Sequence, residues 1–215
     1  MRQNVIFAIF ISTILFNSCE PAATFDKPQP ADTKPLTNFP KRIQGKYLDA
    51  DHASVLTITD KLMTRYFDFD VQEHKDSLGS SYTLVGDTLI NLSDNTKEKV
   101  VLKGDTIIQH YSGTDTLFSI STGNILKKFK GYYFLNKLYN DNAWEVNKLS
   151  LEKGVLTVAS ISDKDDIQKL KEITETSADT TSTNFSLTRR QFKSFIKQHG
   201  FGEQDTFTRM KENGR

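Results

Sequence analysis

The sequence predicts an α+β protein made mainly of strands: an antiparallel meander curling into a barrel or sandwich, then a second β unit with two helices. Three observations carry that expectation. Gly-Asp dipeptides recur between β-rich runs, Met63 to Phe69 alternates in polarity, and Thr188-Arg-Arg-Gln191 opens a helix. Glycine supplies the positive φ of a tight hairpin turn. Alternation sends successive side chains to opposite faces of a strand, and Thr-x-x-Gln is a capping box.

The chain starts with one positive charge, Arg2, followed by the charge-free run Val5 to Phe16 and then Asn17-Ser18-Cys19. That order is a secretory signal over residues 1–18, and its apolar run falls short of the roughly 20 residues that span a bilayer. Phe16-Asn17-Ser18-Cys19 resembles the lipobox of bacterial lipoproteins, in the looser form of the Bacteroidota. Ser18 is the expected small residue, Phe16 stands where Leu is usual, and Asn17 departs from the pattern. The resemblance implies that Cys19 is acylated and becomes the mature N-terminus, in the cell envelope and expectedly at the outer membrane. Two or three acyl chains, at about 0.8 kcal/mol per buried methylene, hold a protein firmly. The other reading is an ordinary cleaved signal with an incidental cysteine. Glu20 differs from the Asp that retains some lipoproteins at the inner membrane, and Glu20-Pro21-Ala22-Ala23 forms no clear acidic cluster. Periplasm-facing and surface-exposed orientations both stay open.

Cys19 is the sole cysteine, so the folded part has no disulfide and no cysteine-based zinc site. An exported domain without disulfides depends on its core. Once Arg2 leaves with the signal, 27 basic and 27 acidic residues balance. Net charge therefore argues for neither a nucleic acid nor an anionic surface as partner.

Residues 19–38 read as a lipidated N-terminus and Pro-rich tether, with four of the five prolines (Pro21, Pro28, Pro30, Pro35). Such a composition predicts an extended, unpacked spacer. At about 3 Å per residue it would hold the domain tens of ångströms from the lipid.

Residues 39–122 read as the β-meander unit. Gln44 to Leu48 leads into the turn Asp49-Ala-Asp-His52 and the strand Val55 to Ile58. Leu84-Val-Gly-Asp-Thr-Leu-Ile90 recurs as Leu102-Lys-Gly-Asp-Thr-Ile-Ile108, and Gly113-Thr-Asp-Thr-Leu117 is a weaker third copy. With a further turn at Asp94-Asn95-Thr96, about eight strands are expected by Ser121. A longer repeat pairs Ile43-Gln-Gly-Lys-Tyr-Leu48 with Phe129-Lys-Gly-Tyr-Tyr-Phe134. Lys41-Arg42 precedes one copy and Lys127-Lys128 the other.

Residues 123–215 read as the second β unit, with an extra hairpin strand from Trp144 to Leu151. Ser162 before Asp163-Lys-Asp165 reads as a helix start, with acids suited to the dipole and Ile167, Leu170 and Ile173 as the buried stripe. The second helix follows Thr188, with Phe192, Phe195, Ile196 and His199 on one face and Gly200 as its stop. Asn184 to Leu187 and Thr206 to Met210 read as flanking strands. Ser177 to Thr183 reads as a polar loop.

No constellation for catalysis emerges. His52 with Asp49, Asp51 and Asp60 could form an oxygen-rich metal site, but the spacing fits no calcium loop and suits ordinary turn chemistry better. His74, His110 and His199 lack zinc spacing. Ser80-Ser81 has no evident base. Asp68 and Asp70 suit the wet face of an amphipathic strand better than a glycosidase dyad. The basic, aromatic run Lys127 to Tyr133 reads as a strand entry more readily than a nucleic-acid or glycan surface.

The Gly-x-Tyr entry strand and meander, residues 39 to 160, also resemble the lipocalin-like modules of Bacteroidota lipoproteins. That resemblance implies a ligand cavity, with Tyr47, Tyr133 and Trp144 as candidate lining residues. The anchor, the tether and the lack of a catalytic constellation lead to the main expectation, a non-catalytic, membrane-anchored envelope module that binds or scaffolds another envelope component, such as an envelope protein. The alternatives are a carrier of a small apolar ligand and, less favoured, an envelope glycan hydrolase. No cofactor, metal or nucleic acid is expected, and the membrane is met through the N-terminal lipid.

Overall fold

The computed structural model describes residues 21–49, 54–161, 164–175 and 183–211. It is mainly β, with two helices. The first strands are short: β1 (Thr24–Phe25) and β2 (Pro35–Leu36). The meander runs through β3 (Gly45–Asp49), β4 (Ser54–Ile58), β5 (Leu62–His74), β6 (Tyr82–Val85), β7 (Thr88–Asn91), β8 (Lys97–Lys99), β9 (Val101–Lys103) and β10 (Thr106–Ser119). Then come β11 (Asn124–Phe129), β12 (Tyr132–Asn140), β13 (Ala143–Glu152) and β14 (Val155–Ser160). Helix α1 (Lys164–Thr174), β15 (Asn184–Phe185), helix α2 (Arg189–Lys197) and β16 (Glu203–Arg209) complete the described chain.

The main sheet follows the order β2-β11-β12-β13-β14-β16-β3-β4-β5-β10-β9 and is an open path, not a closed barrel. Every pair along it is antiparallel. The late strand β16 lies between β14 and β3, so the units expected at 39–122 and 123–215 share one sheet. They also share a core. Tyr47, Leu56, Met63 and Phe118 from the first half pack with Leu126, Tyr133, Leu149 and Phe207 from the second.

The opposite face of the second half is covered by the helices. Phe134 and Val146 meet Phe192, Phe195, Leu170 and Phe201 there. Strand β12 thus has apolar layers on both faces, which explains why Tyr133, Phe134 and Leu135 are all buried. Helix α2 starts as its residues require: Thr188 accepts from the Gln191 amide, and the Gln191 side chain accepts from the Thr188 amide. Of the expected apolar face, Phe192 and Phe195 are buried whereas His199 is exposed. Phe201 folds back under the helix end, its ring 5.2 Å from that of Phe195. Asp166, one of the first-turn acids of α1, turns fully inward and accepts from the Gly202 amide at 2.6 Å, tying α1 to the loop after α2.

Both Gly-Asp hairpin turns form, with Gly86 at φ 62° and Gly104 at φ 61°. The third copy does not turn. Gly113 lies inside the long strand β10, opposite Phe67, and a Cβ there would come within 2.8 Å of the Phe67 ring. The glycine serves as a seat for an aromatic ring. Strands β6, β7 and β8 form a separate small sheet over Ile107 at the far end of the β5–β10 ribbon.

The largest departure concerns the segment expected as a tether. Residues 21–38 are docked on the domain. Phe25 has 0% of its surface exposed, and Ala23 and Ala31 are buried too. Strand β14 pairs with β13 only from Lys148 onward, leaving the start of β13 open, and β1 pairs there opposite Trp144. On its other side β1 pairs in parallel with β15, while β2 pairs with β11. Composition argued for a solvated chain; a few buried apolar contacts and backbone hydrogen bonds outweigh it.

Candidate functional site

Two side-chain clusters arise from residues that lie far apart in the chain. The first is a clamp on the docked N-terminal strap. Lys127 on β11 is 6% exposed and donates from Nζ to the Pro28 and Pro30 carbonyls at 2.7 and 2.8 Å. Asn136 on β12 is fully buried; its Nδ2 donates to the Gln29 carbonyl at 3.0 Å, and its Oδ1 accepts from the Gln29 amide. Burial holds the Lys127 ammonium below the usual lysine range. The clamp therefore satisfies the backbone of a strap whose prolines cannot donate.

The second cluster joins the two copies of the longer repeat. Tyr47 and Tyr133 lie in the same core, each with no exposed surface. Arg42, from the turn before β3, donates from Nε to the Tyr133 hydroxyl at 2.8 Å and from Nη2 to the Gly131 carbonyl at 3.3 Å. Arg209, at the end of β16 and directly opposite Tyr47, donates to the Tyr47 hydroxyl and to the Arg42 carbonyl. Each guanidinium also lies over its tyrosine ring, at 5.3 and 5.0 Å from the centroid. Burial pushes the Tyr47 phenol above its ordinary value, with Arg209 partly offsetting it, so the hydroxyl remains neutral at pH 7. The Lys41-Arg42 pair before one repeat copy signalled part of this cluster. Nothing local to Arg209 did.

Of the residues expected to line a cavity, Tyr47 and Tyr133 are therefore together, as packed core residues. Trp144 is half-buried on β13 beside β1, apart from them in the sheet. Cys19, Glu20, Asp51 and His52 lie outside the described residues. Asp49 is buried and accepts from Ser54 Oγ at 3.4 Å. Among the described residues no group of three or more His, Cys, Asp or Glu is placed to hold a metal. Likewise, no helix among them is long and apolar enough to cross a membrane.

Asp68 and Asp70 sit on the exposed face of β5, with His110 across on β10. Tyr66 donates its hydroxyl to Asp68 at 2.8 Å, and His110 Nδ1 meets Asp70 at 3.0 Å. Hydrogen bonding to Asp70 raises the His110 pKa, with the charges of Asp68 and Asp70 adding to it. A raised folded-state pKa stabilises the ribbon below the ordinary imidazole value, and that contribution is lost as pH rises through the folded value. In an NMR titration His110 is expected to keep its proton above the usual imidazole range, and Asp70→Asn to bring it back down. An unchanged titration in Asp70→Asn would contradict the pairing.

No family model matches this chain, and neither the curated proteins nor the solved structures give a match.

Proposed function

We propose that this chain is a lipid-anchored cell-envelope protein whose β domain serves as a non-catalytic binding or scaffolding module. The observation that carries this reading is the adjacency of the lipobox-like Cys19 to a strap clamped onto the domain. Three residues lie between Cys19 and Ala23, the first buried residue among those described. The path from Cys19 to Ala23 reaches at most about 14 Å when fully extended. Acylation at Cys19 would thus hold the domain against the bilayer surface, in place of the long spacer that the proline content suggested.

A carrier of a small apolar ligand is the weaker reading. The sheet is an open path, and Tyr47 and Tyr133 are engaged in the core and in the arginine cluster. Fractionation of a bacterial host expressing the full chain tests the anchor. The wild type is expected in the detergent phase and labelled by palmitate, and Cys19→Ala in the aqueous phase without label. Continued membrane association of Cys19→Ala would overturn the reading.

A further inference from the structure

The two guanidinium groups of the tyrosine cluster have an arrangement that their structural role does not exhaust. All their protein partners are neutral: two phenol oxygens and two backbone carbonyls. No carboxylate among the described residues lies within ion-pair distance of either, whereas Arg65, Lys75, Lys99 and Lys169 each have one. Arg42 Nη1 and Arg209 Nη1 and Nε make no hydrogen bond among the described residues, so each group keeps unused donors. Arg42 is exposed and Arg209 half-exposed.

The surroundings add to this. Strand register places the turns 130–131 and 153–154, the start of β3 and the end of β16 at one end of the sheet. Exposed Lys46, Lys128, Lys130 and Lys153 sit there with the two arginines, against Asp60 and Glu152. Lys128 Nζ lies 5.7 Å from the same Tyr133 ring that carries Arg42. Nearby like charges that outnumber their counter-charges raise the potential of a surface and favour an anion. Guanidinium groups already fixed by buried phenols lose little further freedom on binding, and their planar forks match oxyanions.

We propose that Arg42 and Arg209, with Lys128 and Lys130 beside them, form a binding site for a phosphate-bearing ligand at this end of the sheet. The site stands independently of the anchor reading. Its ligand could be a soluble phosphate or the headgroup of an anionic lipid, and the chemistry of recognition is the same.

The test uses the full chain carrying Cys19→Ala, so that no acyl chain contributes. Inorganic pyrophosphate is titrated calorimetrically, and flotation is measured with phosphatidylcholine vesicles with and without phosphatidic acid. Binding in at least one arm is expected, weakening as salt rises. Replacing both arginines (Arg42→Gln with Arg209→Gln) should lower the affinity about tenfold or more, as expected for the loss of charge-assisted hydrogen bonds. Saturable pyrophosphate binding identifies a soluble phosphate ligand; binding to phosphatidic acid vesicles alone identifies a headgroup. Should the double variant lose its native circular dichroism, Lys128→Gln with Lys130→Gln, both exposed, takes its place and should weaken binding severalfold. Failure of the parent chain to bind either anion, or an unchanged affinity in a folded variant, would overturn the site.

Discussion

Truncation of Phe25 to Ala is expected to lower the unfolding free energy by about 3–5 kcal/mol, the range for a fully buried phenylalanine. Phe25 is fully buried, with its ring 6.5 Å from Phe185 and 6.3 Å, edge-on, from Phe192. Its loss opens a void in the layer between the sheet and the helices, and also weakens the pairing of β1 with β13 and β15. Urea denaturation should show the transition at lower denaturant with an unchanged slope. A residue in a solvated tether would shift stability by no more than about 0.5 kcal/mol, so a result of that size would detach the strap from the fold.

Phe192→Ala should cost a similar amount, about 3–5 kcal/mol, because its ring is the hub of that layer. It stands 5.0 Å from Phe134, 6.2 Å from Phe201 and 6.3 Å from Phe25. The Phe25–Phe192 contact is nearly perpendicular at 84°, a favoured aromatic geometry. Combining the two substitutions is therefore expected to cost less than the separate effects added, by about 0.5–1.5 kcal/mol. Strict additivity would mean that the strap and the helix do not touch.

What the sequence disclosed was local. The Gly86 and Gly104 turns and the Thr188 capping box form because each depends on a few adjacent residues. Gly113 misled because its role depends on Phe67, which only strand pairing brings opposite. The strap was hidden for a related reason. Its own composition is solvated, and what holds it (Lys127, Asn136, Phe185 and Phe192) lies 97 or more residues away. The balanced net charge concealed the basic end of the sheet, since a sum says nothing about which turns share an end. Tyr47 and Tyr133 stood out as repeat partners, yet their link through Arg42 and Arg209 required β16 to lie beside β3.

With the acylation proposed for Cys19, the clamp would give the strap a mechanical role. A lipid attached at Cys19 would pull on a segment fastened by strand pairing and by Lys127 and Asn136, transmitting force to the central sheet. Position relative to the bilayer would then be set by the fold and not by a flexible spacer.

Amide hydrogen exchange over the strap tests the central claim most directly. The Thr24 amide donates to Thr183 at 2.8 Å, the Asp26 amide to Phe185 at 3.1 Å, and the Gln29 amide to the buried Asn136 side chain. All three are expected to exchange far more slowly than free chain, with Thr24 and Asp26 opening together with the sheet that holds them. Exchange of these amides at the rate of an unstructured peptide would contradict the account.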